Sequence, residues 1–155
     1  LMNDGRQSNY FVIYKSIEVA DRNDAGDRIS DGGTGDLLVF VDASESDSGF
    51  GGSEISRIVY YFRAIQSDDV DELAPVRRYE QSIPSGSDSA LEALLVDSSV
   101  LLDAPEIVEL SRGLANGDLF YNFWGKSVML NGQIYHGNEA KRVTETYNFT
   151  VSPRG

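Results

Sequence analysis

The chain contains no cysteine. That excludes disulfides, thiolate metal sites and a cysteine nucleophile. It has a single histidine, His136, so a zinc site built from several imidazoles is excluded too. Positive charge is scarce: 13 basic residues face 25 acidic ones, for a net charge of −12. Such a field repels nucleic acid and anionic lipid rather than gripping them. No apolar run approaches the roughly 18–20 residues that span a bilayer, and no signal peptide stands at the start. Phosphate cradles are missing as well. The glycines between positions 26 and 35 fit neither the Walker nor the dinucleotide fingerprint. Gly125-Lys126-Ser127 ends like a Walker motif, but its leading glycine would fall on Phe120. No G-x-S-x-G elbow is present to seat a serine nucleophile.

What is present is a folding composition. The chain has 155 residues, 41% of them hydrophobic, enough for one domain with a real core. Residues 1–9 read as the end of a helix. "YFVIYKSI" (10–17) is aromatic and β-branched, and "DLLVFVD" (36–42) is a short continuous apolar run; both predict strands, the second buried. "EISRIVYYFRA" (54–64) places Ile55, Arg57, Val59, Tyr61 and Arg63 on one face and Ser56, Ile58, Tyr60 and Phe62 on the other. Apolar residues on both faces predict a central strand. "VRRYEQSI" (76–83) is its expected antiparallel partner. The acidic run Asp68, Asp69, Asp71 and Glu72 reads as a solvated loop.

"SDSALEALLVDSS" (87–99) predicts one helix, capped by Ser87 or Asp88, with Leu91, Leu94 and Leu95 as its apolar stripe. Residues 106–113 and 118–125 predict strands. Asn131-Gly132, between Val128-Met129-Leu130 and Gln133-Ile134-Tyr135, predicts a two-residue type I′ hairpin turn. "KRVTETYNFTVSP" (141–153) alternates apolar and polar positions like a half-exposed strand. The class is α+β: an antiparallel sheet packed against an N-terminal helix end and one internal helix.

Several residues are candidates for chemistry. "DRNDAGDRISDGGTGD" (21–36) is rich in oxygen donors and glycine, and Asp21, Asn23, Asp24, Asp27 and Asp31 are the candidate calcium ligands. Counted as an EF-hand from Asp21, the loop places Asn23 and Gly26 correctly but puts Ala25 and Gly32 where ligands belong, which excludes that motif. An irregular calcium loop and a polar turn segment both stay open. Phe120, Tyr121, Phe123 and Trp124 read as rings filling a core strand; a sugar platform would need them exposed. His136 reads as a structural residue at a hairpin end. Asn148-Phe149-Thr150 matches the N-glycosylation sequon, which matters only in a eukaryotic secretory pathway. No set of residues assembles into a catalytic constellation, so an enzyme is not expected.

The order of the segments resembles a known family. "GDLLVFVD", "ISRIVYYF" and "VRRYEQSI" are similar to strands of the periplasmic domains of pseudopilins and prepilin-type proteins. The likeness is greatest to the type II secretion minor pseudopilin J and the type IV pilus W-type minor pilins. It is carried by Ile55, Arg57, Ile58, Val59, Tyr60, Tyr61, Val76, Arg77 and Arg78, and it spans about half of the chain. The resemblance implies a non-enzymatic structural subunit, residues 1–155 forming one soluble pilin-like domain. It implies pilin or pseudopilin subunits as partners, no nucleic acid, and a place in the periplasm or at the cell surface. The membrane would be reached only through an N-terminal helix preceding Leu1. Calcium stabilises some members of the wider group, but no ligand motif carries over residue by residue. The alternative from the residues alone is an extracellular carbohydrate-binding module, with Trp124, Tyr121 and Tyr135 exposed beside acidic side chains.

Overall fold

The computed structural model describes residues 2–45, 53–65, 73–107, 113–136 and 143–151. Two four-stranded antiparallel sheets dominate it. The first has the order β1 (Tyr10–Tyr14), β3 (Leu37–Glu45), β4 (Ser53–Arg63), β6 (Val76–Ser87). The second has the order β10 (Val143–Val151), β9 (Ser127–His136), β8 (Phe120–Phe123), β2 (Thr34–Gly35). A two-stranded ladder joins β5 (Leu73–Ala74) to β7 (Gly113–Leu114). The helical pieces are short: α1 (Met2–Gln7), α2 (Leu91–Leu94), α3 (Ser98–Leu102) and two single 3₁₀ turns, Val19–Asp21 and Ala25–Asp27. The class is α+β with antiparallel sheets, but with two main sheets where one was expected.

The first sheet is buried on both faces, which explains its unbroken apolar runs. Along β3, Leu37, Val39 and Val41 point into one core and Leu38 and Phe40 into the other. On one side Val12, Tyr14, Ile58, Tyr60 and Phe62 meet Ile17, Leu91, Leu101 and Ala104. On the other, Ile13, Val59, Tyr61 and Val76 meet Leu119, Phe120, Val128 and Leu130 of the second-sheet layer. Each fully buried Leu, Val or Phe contributes about 2 kcal/mol, so this double burial is the main stabilising term. The expected central strand is central: β4 lies between β3 and β6. One detail differs. The register shifts between Ile55 and Arg57, and Ile55 joins Ile58, Tyr60 and Phe62 in one core instead of siding with Val59 and Tyr61. A β-bulge of this kind inserts a residue and reverses the alternation.

Two expectations are corrected. Residues 87–99 form no single helix: Ser87 ends β6, and α2 and α3 are one turn each. The cap at Ala90 has no side-chain hydrogen bond, and Leu95 is extended (φ −66°, ψ 133°). Tertiary partners capture the intervening backbone. Gln81 Nε2 donates to Leu94 O at 2.9 Å, Arg22 Nη2 donates to Val96 O at 2.7 Å, and Val96 N donates to the Tyr60 hydroxyl at 3.2 Å. The second correction is the Asn131-Gly132 turn. β9 runs straight through it, with Asn131 opposite Asn148 and Gly132 opposite Tyr147. The long ladder with β10 outweighs a local turn preference worth about 1 kcal/mol. The strand expected at 106–113 reduces to a bridge from Glu106 to Arg77 and the short β7, with residues 108–112 outside the described ones. The acidic run 68–72 also lies outside them, as do the side chains of Tyr135 and His136 and the sequon's.

Asp36 alone separates β2 in the second sheet from β3 in the first. Its backbone N–H donates to Lys15 O at 3.0 Å, and its carbonyl accepts from Arg63 N at 3.1 Å. Its buried carboxylate accepts from Gly117 N (2.9 Å) and Leu119 N (3.2 Å). Burial raises the Asp36 pKa to about 6, despite the two amide donors. Next to it, a Cβ at Gly35 would lie 2.1 Å from Tyr14 O, so only glycine fits this crossing.

Candidate functional site: an aromatic hairpin and a buried carboxylate anchor

The tight hairpin of the second sheet is at Trp124-Gly125, between β8 and β9. Phe123 lies opposite Ser127, so the loop is Trp124, Gly125 and Lys126, and both Trp124 and Gly125 have positive φ, 58° and 67°. Lys126 N closes the turn on Phe123 O at 3.1 Å. Glycine takes this geometry freely; tryptophan in it costs about 1 kcal/mol. The turn is braced by Asn122, whose Oδ1 accepts from Gly125 N at 2.8 Å and whose Nδ2 donates to Ile29 O at 3.0 Å. The backbone of Asn122 also pairs with the 29–33 segment, accepting from Gly32 N at 2.8 Å and donating to Gly33 O at 2.9 Å. One buried amide thus fixes the turn and the loop beside it.

Alternation along β8 buries Phe120 and Asn122 and turns Tyr121 and Phe123 outward. Trp124 is 67% exposed and Phe123 44%. Phe123 stands edge-on to Trp124, with ring centroids 6.3 Å apart, and tilted to Tyr121 at 6.4 Å. The rings read as core are therefore divided: Phe120 fills the core, and Trp124 and Phe123 stand in solvent with Tyr121 half-buried beside them. Asp31, Gly32, Tyr121 and Trp124 line a cleft of about 200 Å³. The signal for this was Gly125 directly after the aromatics, which marks a turn and not a strand end.

The candidate calcium residues are dispersed among other tasks. Asp21 accepts from Ser16 Oγ at 2.7 Å. Asp24 Oδ1 accepts from Gly26 N at 2.7 Å, and Asp27 Oδ2 from Asn23 N at 2.7 Å and Asp24 N at 3.1 Å, a reciprocal capping box on the second 3₁₀ turn. Asp31 stands at the aromatic cleft instead. Among the described residues no three acidic or histidine side chains converge as a metal cluster. A calcium cage needs six to eight oxygens, and this donor set does not fit one as arranged.

A second constellation was not singled out in the sequence. α1 packs against β3 and β10 and delivers Asp4, only 7% exposed, onto the first sheet. Asp4 Oδ1 accepts from Arg57 Nη2 (2.9 Å) and Arg78 Nη2 (3.1 Å); Oδ2 accepts from Arg78 Nε (2.9 Å) and from the Tyr61 hydroxyl. Arg57 also holds Asp42 and Glu80, and Arg78 holds Glu80 and lies over the Tyr61 ring. Burial alone would raise the Asp4 pKa; the hydrogen bonds from Arg78, Tyr61 and Arg57 outweigh it and hold it at about 2. Burial and the Asp4 hydrogen bond push the Tyr61 hydroxyl up. The signal available was two arginines, on paired strands, beside a buried tyrosine: such a group demands a carboxylate.

Comparison of the chain with family models, curated proteins and solved structures finds no match.

Proposed function

We propose that this chain is the head domain of a pilin-like assembly subunit, of the kind found in type II secretion pseudopili and type IV pili. It acts by protein–protein contact and carries no catalytic residue. The observation that carries this reading is the Asp4 anchor. The residues behind the family resemblance include Arg57, Tyr61 and Arg78, and these three converge on a carboxylate from α1. A fibre subunit whose leading helix sits in a shared bundle needs its head rigidly attached to that helix. Buried charge pairs fix orientation in a way apolar contacts do not, because a displaced charge is left unpaired in a dry site. In this reading the domain lies in the periplasm or at the cell surface.

The test is the coding sequence upstream of Leu1 together with cross-linking in cells. An apolar helix of membrane-spanning length behind a prepilin cleavage site is expected, with cross-links from the head to pilin-like subunits encoded nearby. An upstream region without such a helix, or a head that cross-links to no such subunit, refutes the proposal.

A further inference from the structure

The cleft at the hairpin tip has the chemistry of a cation site. It is lined by the aromatic rings of Trp124 and Tyr121 together with Asp31, an exposed residue. Among the described residues Asp31 makes no hydrogen bond or ion pair, and it abuts the turn: a Cβ at Gly125 would sit 3.1 Å from its Oδ1. The whole molecule is acidic, at −12. A negative ring face, a carboxylate and a negative field all favour a positive ligand. A sugar would find stacking faces but few directed polar partners: among the described lining residues the polar side-chain groups are the Asp31 carboxylate, the Tyr121 hydroxyl and the Trp124 indole N–H. The strained Trp124 backbone points the same way, because strain held by bracing contacts marks sites where geometry is used.

We propose that this cleft receives an arginine side chain of a partner protein, its guanidinium stacked on Trp124 and paired with Asp31. Arginine fits better than lysine: its planar, weakly hydrated head stacks on aromatic faces and gives up its water more readily. The source of the arginine, a neighbouring subunit, rests on the assembly reading; the chemistry of the cleft does not. Lys126 sits at the same turn and, as a like charge, weakens the site.

The test uses Trp124, the only tryptophan in the chain, as its own reporter. The 155-residue chain is titrated with acetyl-Gly-Arg-Gly-amide, with its neutral citrulline counterpart, and with methyl glucoside. The arginine peptide is expected to shift Trp124 fluorescence saturably and the other two are not. Asp31→Asn should weaken arginine binding about fivefold, and Lys126→Gln should tighten it modestly. Trp124→Asn, followed by calorimetry, should abolish binding while melting no lower than the parent, because asparagine tolerates this backbone better. Saturation by the citrulline peptide or the glucoside at least as strong as by arginine, or arginine binding indifferent to Asp31→Asn, overturns the proposal. A failed titration removes this site and leaves the assembly reading standing. Binding in a protein that never cross-links to other subunits does the reverse.

Discussion

Replacing Asp4 with asparagine probes the anchor most directly. The carboxylate has an ordinary value of 3.8 and a folded value of about 2. A group whose folded pKa is depressed stabilises the fold above its unfolded pKa and loses that contribution as pH falls through the folded one. The gap corresponds to about 2 kcal/mol at neutral pH. Direct loss of one partner from a fully buried ion cluster costs about 3–5 kcal/mol. Here the arginine side chains are 21% and 32% exposed, and both keep Glu80, so the lower figure applies. At pH 7 the Asp4→Asn variant should therefore be about 2–3 kcal/mol less stable than the parent. At pH 2.5 the parent's own carboxylate is partly protonated, and the gap should shrink to about 1 kcal/mol. Urea denaturation followed by circular dichroism is the suitable assay, because the sole tryptophan is already exposed and reports unfolding poorly. A gap that is the same at both pH values, or below about 0.5 kcal/mol at pH 7, refutes the charge-anchor argument.

Asp36 predicts the opposite pH dependence. Its folded pKa of about 6 lies above the ordinary 3.8, so its contribution is greatest below pH 3.8 and is lost as pH rises through 6. Acidification from pH 7 to 4 should stabilise the parent relative to Asp36→Asn by about 2 kcal/mol; a flat difference over that range would count against it. Gly35→Ala forces a methyl onto the Tyr14 carbonyl and should destabilise by about 3 kcal/mol or more, read as a lower urea midpoint. Melting with calcium and with chelator should give equal midpoints, because Asp24 and Asp27 are committed to backbone donors. A bound ligand at a hundred times its dissociation constant would add about 2.7 kcal/mol, so a clear rise with calcium would mean the loop rearranges to bind it.

Burial of both faces of the first sheet was legible because "DLLVFVD" and "ISRIVYYF" are apolar at consecutive positions, which only a strand covered on two sides tolerates. The pairing of β4 with β6 followed from the same pattern. The breaking of the helix expected at 87–99 into two single turns was not legible, because hydrogen bonds with Gln81, Tyr60 and Arg22 decide it, and these residues are distant in the chain. The turn assignment failed for a related reason. Asn131-Gly132 has the better local chemistry, but pairing of β9 with β10 sets where the chain reverses. Of the candidate sites, Asp31 was named for its oxygen and Trp124 for its ring, and only the fold brings them to one cleft. Asp4 was hidden inside a short polar segment; nothing local distinguishes it from an exposed acid.

The passage from Gly35 through Asp36 to Leu37 has a mechanical consequence. The two sheets are joined there by a single residue of continuous main chain, besides their packed side chains. A tug on the aromatic tip passes along β8, crosses the two-pair hydrogen-bonded ladder to β2, and then follows covalent bonds through Asp36 into β3, the strand beside α1. Contacts between stacked layers slip under tension and covalent bonds do not. The tip and the leading helix are thus coupled in series, and a load on one end is delivered to the other without the layers having to shear.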